Sequence, residues 1–215
     1  MRPAVVSRRV SIRWIPDPPS EPTLTLVLTS PAGHYVDIRP LIEGGSIQWA
    51  FAGTCTHEIV EGVSTGTWTH EIDSQVDSIY QDSGHFTDLP NGDSLETGRM
   101  KDDEGVERDY EEVWHDEDAQ PADCYVLKME DEHGVGYFIR TGVHAQGIIK
   151  TKEKKISVIR WDAQGGPWRV VLQSGSQVDW FPAPEALPVL RSGEVYFVGG
   201  NGGHAWNVVE HTTQT

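Results

Sequence analysis

Alternation of apolar and polar residues with a period of two runs through almost every segment of this chain that could be regular. The stretch TLTLVLTS at 23–30 alternates Leu with Thr or Val, and SIQWAFAG at 46–53 places Ile47, Trp49 and Phe51 on one side. Successive side chains of a β-strand point to opposite faces, so this pattern is typical of half-buried strands. Turn sequences rich in Gly, Pro and Asn separate the segments, and no long stretch has a helical period. The sequence therefore predicts an all-β, antiparallel protein.

Similar stretches recur in the same order at a nearly constant offset. Tyr35 of HYVDIRP corresponds to Tyr137 of GYFIRTG, and Trp68 of TGTWTHEI corresponds to Trp168 of GGPWRVVL. NGDSLETG and DYEEVWHDED in the first half resemble RSGEVYFVG and AWNVVEH in the second. Such repetition is the signature of duplicated structural units.

The repeat predicts two related β-domains in tandem, at 1–118 and 119–215, each with its own core. The polar junction HDEDAQPAD at 115–123 separates them. About seven or eight short strands in each half can form either a sandwich or a closed barrel, and closure removes the unpaired strand edges.

The composition excludes several classes of protein. Hydrophobic residues make up 37% of the 215 residues, enough for a packed core. The net charge of −16 argues against nucleic-acid binding, which requires a surplus of Lys and Arg, and no apolar run approaches the roughly 20 residues of a membrane helix. Cys55 and Cys124 are predicted to be buried thiols. The basic opening, 1–14, is interpreted as a first strand, with a transit peptide as the alternative.

The negative charge is concentrated in the first half. Residues 1–118 contain 8 Lys and Arg against 23 Asp and Glu, whereas residues 119–215 contain 9 against 10. The acidity is greatest in KDDEGVERDYEEVWHDED at 101–118, which we interpret as a solvated hairpin or, alternatively, as a docking surface for a basic partner. The candidate partner-binding residues of this acidic hairpin are Asp102, Asp103, Glu104, Glu107 and Asp109.

Four stretches of the first half are less generic: GHYVDIRPL at 33–41, IQWAFAGT at 47–54, ETG at 96–98 and YEEVWHD at 110–116. In this order and spacing the chain resembles the fungal family named for its interaction with a casein kinase I. The resemblance implies two tandem lipocalin-like β-barrels and nominates a casein kinase I as a protein partner. It implies no catalytic chemistry.

His70 is the histidine that most needs an explanation. By alternation Trp68, His70 and Ile72 share a face, so His70 is predicted to be a hydrogen-bonded polar group in an apolar interior. A haem or metal ligand is the alternative. The sequence contains no H-E-x-x-H, no C-x-x-C and no calcium loop, so we expect no metal and no cofactor.

The tryptophans and a polar strand face bear on ligand binding. Large aromatic residues can fill a small barrel completely; the alternative is a pocket for a small apolar or aromatic molecule. The candidate ligand-binding residues of such an interior are Trp49, Trp68, His70, Trp168 and Trp206. Tyr35, Asp37 and Arg39 share one strand face, which can line a pocket or present an outward ion pair.

These features predict a non-enzymatic intracellular protein, in the cytoplasm or also in the nucleus, that interacts with a protein partner. The alternative is a carrier or sensor of a small apolar ligand. The volume of the barrel interior discriminates between the two, because an interior packed solid by Trp and Leu leaves no room for a ligand.

Overall fold

The structure is a computed structural model that describes residues 3–102, 104–117, 123–199 and 203–213. Fifteen strands account for nearly all of its regular structure, and two short 3-10 helices, Val178–Trp180 and Pro184–Ala186, are the only helical elements of the described part. The all-β prediction is confirmed. None of the described helices has the length and apolar character needed to cross a membrane.

The first half forms a closed eight-stranded barrel in which each strand pairs antiparallel with the next. Strand β8 returns to pair with β1, so that Arg9 lies opposite Trp114. Closure leaves no unpaired edge, and the prediction of a barrel in this half is confirmed. The strands are β1 (Val5–Trp14), β2 (Leu26–Thr29), β3 (His34–Pro40), β4 (Ile47–Val60), β5 (Val63–Asp73), β6 (Tyr80–Asp88), β7 (Ser94–Lys101) and β8 (Glu107–Asp116).

The second half forms a seven-stranded antiparallel sheet in the order β13-β12-β11-β10-β9-β15-β14. The prediction of a second closed barrel is therefore corrected: the edge strands β13 and β14 do not pair with each other among the described residues. We refer to this unit as the open sheet. Its strands are β9 (Cys124–Glu130), β10 (Gly134–Thr141), β11 (His144–Thr151), β12 (Ile156–Asp162), β13 (Arg169–Ser174), β14 (Val195–Val198) and β15 (His204–Thr212).

The open sheet stays open because both of its faces are already covered. On β9, Val126 packs toward the barrel, whereas Leu127 packs into a cluster on the other side. The connection 175–194, between the two edge strands, adds Phe181 and Leu190 to that second cluster. We call this the sheet cluster; apolar side chains from its own connection occupy the space that a closed barrel would enclose.

The barrel and the open sheet share an apolar core. One buried cluster joins the outer face of the barrel to the open sheet, and we call it the shared cluster. The expectation that each half has a separate core is therefore incomplete, because part of the apolar core lies between the two halves. The outward-facing leucine and isoleucine residues of the barrel are buried only when another apolar surface covers them. Its fully or almost fully buried members include Leu26, Leu28, Val36 and Ile38 from the barrel and Val126, Tyr137, Ile139 and Ile148 from the open sheet.

Buried polar side chains reinforce this contact. Gln146 Nε2 donates hydrogen bonds to the backbone oxygens of Leu26 at 3.0 Å and Val36 at 2.6 Å. Arg160 Nη2 donates to the backbone oxygen of Ile38 at 2.8 Å. Burial lowers the pKa of Arg160 to about 10, so it remains charged at neutral pH. These carbonyl groups belong to paired residues of β2 and β3, so the two side chains add second hydrogen bonds to buried backbone oxygens.

Both cysteines are buried thiols, as predicted. Cys55 lies on β4 and Cys124 on β9, and neither takes part in a disulfide in the described structure. Burial raises the pKa of Cys124 to about 12, which makes its thiol unreactive at neutral pH.

Candidate functional site

The barrel encloses a cavity of about 580 Å³. Tyr35, Asp37 and Arg39 reach it from β3, and Trp49 and Phe51 reach it from β4. The sequence left open whether the β3 side chains lined a pocket or formed an outward ion pair, and the structure places all three in the cavity wall. Pockets for small molecules typically measure roughly 300–1,000 Å³, so this interior is large enough for a small organic molecule.

One end of the cavity opens to solvent. Its lining residues there are themselves exposed: Pro3, Ala32, Thr56, His57 and Asp116. Every described residue that lines the cavity belongs to the barrel half of the chain. The described part of the cavity wall is therefore formed by the barrel, and we call the end with these exposed residues the mouth.

The open sheet contacts the turn between β2 and β3, which forms one side of this mouth and which we call the lip. Glu210 of β15 accepts hydrogen bonds from Ser30 Oγ at 2.5 Å and from the backbone nitrogen of Ala32 at 3.1 Å. Both donors belong to the turn between β2 and β3, and Ser30 Oγ also accepts a hydrogen bond from the backbone nitrogen of His34 at 3.0 Å. The position of this lip thus depends on contact between the two units.

Charged side chains form the buried end of the cavity. Arg39 donates to Asp37 Oδ2 through Nε at 3.0 Å and Nη2 at 2.9 Å, and to Glu112 Oε1 through Nη1 at 3.2 Å. The same Glu112 oxygen accepts a hydrogen bond from Arg9 Nη1 at 2.5 Å. Burial alone would lower the pKa of Arg39, but Asp37 and Glu112 outweigh burial and raise it. Its guanidinium carbon lies 5.0 Å from the ring centroid of Trp49.

Glu96 of β7 adds another carboxyl group to this end. Its Oε1 accepts a hydrogen bond from Tyr110 Oη at 2.7 Å, and its Oε2 accepts one from Trp114 Nε1 at 2.8 Å. Burial, followed by the charge of Glu112, raises the pKa of Glu96 to about 8, so this carboxyl group is mostly protonated at neutral pH. Burial also raises the pKa of Asp37. We call Arg9, Asp37, Arg39, Glu96 and Glu112 the charged floor.

His70 is buried behind the cavity wall. Its Nδ1 lies 2.8 Å from Asp73 Oδ2 and its Nε2 lies 3.4 Å from Asp82 Oδ2. The ring stacks on Phe51, with centroids 4.3 Å apart and planes at 4°, and it contacts Tyr80 at a centroid distance of 4.3 Å. Burial favours a low pKa for His70, but the two carboxylates outweigh burial and raise it. The ring is thus held as an interior polar group, and it is not among the residues that line the cavity.

The alternation predicted for β5 breaks at Glu71. The pairing of β5 with β4 skips Glu71 between His70 and Ile72, which is a β-bulge. Trp68 lines the cavity, whereas Ile72 lies in the shared cluster on the outer face. The prediction that Trp68, His70 and Ile72 share one face is therefore wrong at Ile72, because one extra residue shifts the alternation.

The structure separates the predicted ligand-binding tryptophans into two groups. Trp49 and Trp68 line the cavity. Trp206 is fully buried in the sheet cluster, where its Nε1 donates to the backbone oxygen of Trp180 at 2.9 Å. Trp168 is half-buried at the edge of the same cluster. The interpretation of Trp168 and Trp206 as barrel-interior residues is corrected, because the second half does not close into a barrel.

The acidic hairpin connects β7 and β8 at the surface. Its predicted partner-binding residues are Asp102, Asp103, Glu104, Glu107 and Asp109, of which Asp103 lies outside the described residues. Asp102 Oδ1 stabilises the turn by accepting a hydrogen bond from the backbone nitrogen of Glu104 at 3.0 Å. The side chains of Glu107 and Asp109 are 65% and 66% exposed, and they lie 3.6 and 3.5 Å from Arg99. Arg99 therefore offsets part of the negative charge.

The charged floor contains residues that sequence reasoning missed. Arg9, Glu96 and Glu112 were not singled out, although the sequence held a signal for one of them. On β8, Tyr110, Glu112 and Trp114 alternate on one face, and a glutamate between two large aromatic residues on a buried face indicates an interior charge. For Arg9 and Glu96 only the closed barrel reveals the contact.

Comparison with known proteins identifies relatives along most of the chain. A family model described as Protein HRI1 matches residues 5–210. Protein HRI1 of Kluyveromyces lactis is 27% identical over 222 residues, covering 80% of this chain and 92% of the relative. Protein HRI1 of Vanderwaltozyma polyspora is 28% identical over 236 residues, covering 91% and 94%. The protein of the same name in Saccharomyces cerevisiae is 26% identical over 239 residues, covering 90% and 93%.

A solved structure supports the fold independently. The crystal structure of protein YLR301w from Saccharomyces cerevisiae superposes with a TM-score of 0.83, covering 99% of this chain and 100% of that chain. The sequence identity is 22%, so the likeness shows a common fold.

Proposed function

This chain belongs to the Protein HRI1 family, and we propose that it is a binding protein whose barrel holds a small molecule with an apolar or aromatic body. The observation that carries this proposal is the cavity of about 580 Å³, which is open to solvent at its mouth. An eight-stranded barrel is just wide enough to hold one small ligand when its interior positions are not filled by side chains. The proposal is of binding without a catalytic step.

The shape and lining of the cavity support this function. Aromatic rings of Trp49, Phe51 and Trp68 form part of the wall, and such rings supply large apolar contact areas. The most deeply buried charged groups lie at the charged floor, and uncharged polar side chains such as Ser7, Thr29 and Ser94 also line the cavity. Polar groups held at fixed positions in a pocket typically orient a ligand and give specificity, while aromatic and apolar side chains supply contact area.

A neutral apolar dye, N-phenyl-1-naphthylamine, tests the proposal. We expect one dye molecule to bind per chain, with increased and blue-shifted emission because the dye leaves water. Val27 lines the cavity, whereas Val10 on β1 is 49% exposed on the outside. Val27→Trp should fill the cavity and weaken dye binding by at least about tenfold, which corresponds to roughly 1.4 kcal/mol. The matched variant Val10→Trp should bind the dye as the wild type does. Equal binding by both variants would place the dye elsewhere and contradict the proposal.

Binding of a casein kinase I through the acidic hairpin is a second candidate function. The exposed side chains of Glu107 and Asp109 favour it, because acidic surface groups attract a basic partner over long range. Neutralising Asp102, Asp103, Glu104, Glu107 and Asp109 together should slow association with the kinase at low salt while leaving the dye-binding cavity intact. An unchanged association rate would show that these charges serve solubility alone.

A further inference from the structure

We propose that the ligand of the barrel cavity is a small organic cation, in which a positively charged nitrogen group donates hydrogen bonds at the charged floor and an apolar or aromatic body fills the wall region. This inference rests on the proposed function, because it takes for granted that the cavity holds a ligand.

The first argument is the balance of charge in the cavity. A single guanidinium, that of Arg39, faces five carboxyl groups among the described lining residues. Arg9 of the charged floor is not among the lining residues and is shared between Glu112 and Glu21. Glu96 is mostly protonated at neutral pH and Asp116 is exposed, so the buried carboxylates of the lining are Asp37 and Glu112. Carboxylates in a water-poor interior are costly without positive charge nearby, so the lining favours a cation over an anion. The five lining carboxyl groups are Asp37, Asp82, Glu96, Glu112 and Asp116.

The second argument is an acceptor that lacks a donor. Asp37 is 2% exposed and lines the cavity, and both of its hydrogen bonds from Arg39 go to Oδ2. Within the described structure its Oδ1 has no hydrogen-bond partner. A buried carboxylate oxygen without a donor is uncommon and costly. An N–H group of a bound cation would satisfy it.

The third argument excludes an anion at the same place. The Nε, Nη1 and Nη2 atoms of Arg39 already donate to Asp37 and Glu112. These bonds use three of the five N–H groups of Arg39, and an incoming carboxylate or phosphate at the remaining two would lie among the carboxyl groups of the floor. Like charges in a buried site repel strongly, so Arg39 is a neutralised part of the floor and not an anion receptor.

The aromatic wall suits the same class of ligand. Trp68 and Phe86 line the cavity together, with ring centroids 5.8 Å apart. Aromatic faces attract cations as well as apolar groups; the floor already shows this with Arg39, which lies 5.0 Å from the Trp49 centroid and 5.2 Å from that of Phe51. A ligand with a cationic head and an apolar body therefore matches both ends of the cavity.

Glu96 makes binding dependent on pH. The groups that face it are Tyr110 and Glu112 from β8, Arg39 from β3 and the backbone of Gly84 from β6. Its pKa of about 8 means that the empty site keeps this carboxyl group protonated at pH 7. A bound cation favours the ionised form, so binding should release a proton and should tighten as the pH rises through this value.

Three probes of similar size test the inference by calorimetry on the full chain: benzylguanidinium, benzylurea and 3-phenylpropionate. They carry a positive charge, no charge and a negative charge, and the guanidinium stays protonated because its pKa is above roughly 12. At pH 9 we expect benzylguanidinium to bind at least about tenfold more tightly than benzylurea. Its affinity should rise about tenfold between pH 7 and pH 9, following the ionisation of Glu96.

The variant Glu96→Gln tests whether Glu96 causes the pH dependence of cation binding. Glutamine copies the shape of the protonated carboxyl group, so the fold should be retained, which the thermal midpoint checks. We expect the benzylguanidinium affinity of this variant to be independent of pH from 7 to 9. Glu111→Gln is the control. Glu111 precedes Glu112 in the chain but pairs with Arg13 and does not line the cavity, so this variant should keep the wild-type pH profile.

The outcomes distinguish this inference from the proposed function. If benzylurea or 3-phenylpropionate binds as tightly as benzylguanidinium, or if N-phenyl-1-naphthylamine binds and benzylguanidinium does not, the cavity binds ligands but the inference of a cation is overturned. A benzylguanidinium affinity that is the same at pH 7 and pH 9 in the wild type would overturn the role of Glu96. If none of the three probes nor the neutral dye binds, the proposed function itself fails.

Discussion

The barrel and the open sheet are built from the same kind of antiparallel strand, yet they fill their enclosed sides in opposite ways. The inside of the barrel carries the charged floor and a cavity of about 580 Å³. The face of the open sheet that is turned away from the barrel carries Leu127, Phe138, Trp161 and Trp206, with Phe181 of the connection 175–194 packed on them. One interior is polar and hollow, and the other is apolar and filled.

The difference shows what keeps a small barrel hollow. Apolar side chains collapse to native packing density when nothing prevents it, as they do in the sheet cluster. In the barrel, Arg39 is tied to Asp37 and Glu112, and Glu96 is tied to Tyr110 and Trp114. These pairs hold the side chains against the wall and leave space between them. The barrel is stabilised from outside by the shared cluster instead.

The largest expected effect comes from breaking the charged floor. Glu112→Gln removes the carboxylate that joins Arg9 and Arg39, and the loss of one partner from a buried pair typically costs about 3–5 kcal/mol of the free energy of unfolding. Glu111→Gln is the matched control, because its side chain is 33% exposed whereas that of Glu112 is 3% exposed. For this exposed pair with Arg13 we expect about 0–1 kcal/mol. Urea denaturation of both variants measures the difference. Equal losses in the free energy of unfolding would mean that the buried charge pairs do not stabilise the barrel.

The next largest effect tests the apolar contact between the two units. Ile148 and Ile149 are neighbours on β11 and both are 0% exposed, but Ile148 lies in the shared cluster and Ile149 in the sheet cluster. Each change to Ala should cost about 2–5 kcal/mol. Hydrogen exchange should show that Ile148→Ala also reduces protection of β2 and β3 in the barrel, whereas Ile149→Ala affects mainly the open sheet. The same pattern in both variants would argue against a distinct shared cluster.

A smaller effect is expected at His70, which ties β5 to β6 inside the barrel. Its pKa is raised above the ordinary value of 6.5, so its pairing with Asp73 and Asp82 stabilises the fold fully below pH 6.5. This contribution is lost as the pH rises through the raised pKa. We expect His70→Gln to lower stability by about 1–2 kcal/mol at pH 5.5 and by less at pH 8.5.

Thermal unfolding at both pH values measures this dependence. His133→Gln, at an exposed histidine in the turn between β9 and β10, is the control and should change stability at neither pH. A cost of His70→Gln that grows with pH would contradict the raised pKa.

The smallest effect concerns the division at 1–118 and 119–215, which stays a prediction. We expect limited proteolysis to cut first between His115 and Asp123, where the two units are connected. Because the shared cluster holds the units together, the cut halves should elute as one complex and the thermal midpoint should fall by less than about 4 °C. Separate elution of two folded halves would show that the shared cluster is too weak to join them.

The repeat illustrates how far sequence reasoning reaches. Tyr35 and Tyr137 correspond in the repeat, but Tyr35 lies in the cavity wall and Tyr137 lies in the shared cluster, where its Oη is 2.9 Å from His34 Nδ1. Similar strands therefore occupy different positions in the two units. The repeated pattern predicted the strands correctly. It did not predict which surface each strand face packs against, because that depends on residues far away in the chain.

The sequence by itself determined the all-β class, the antiparallel strands and the interior position of Trp49 and Trp68, because side-chain alternation is a local property of a strand. Only the tertiary structure decided that one half closes and the other stays open, since closure depends on pairing between residues far apart in the chain, such as Arg9 with Trp114. It also decided that Glu96, Glu112 and the β3 side chains surround one cavity. A carboxyl group's burial and pKa come from its neighbours in space, and no local pattern contains those neighbours.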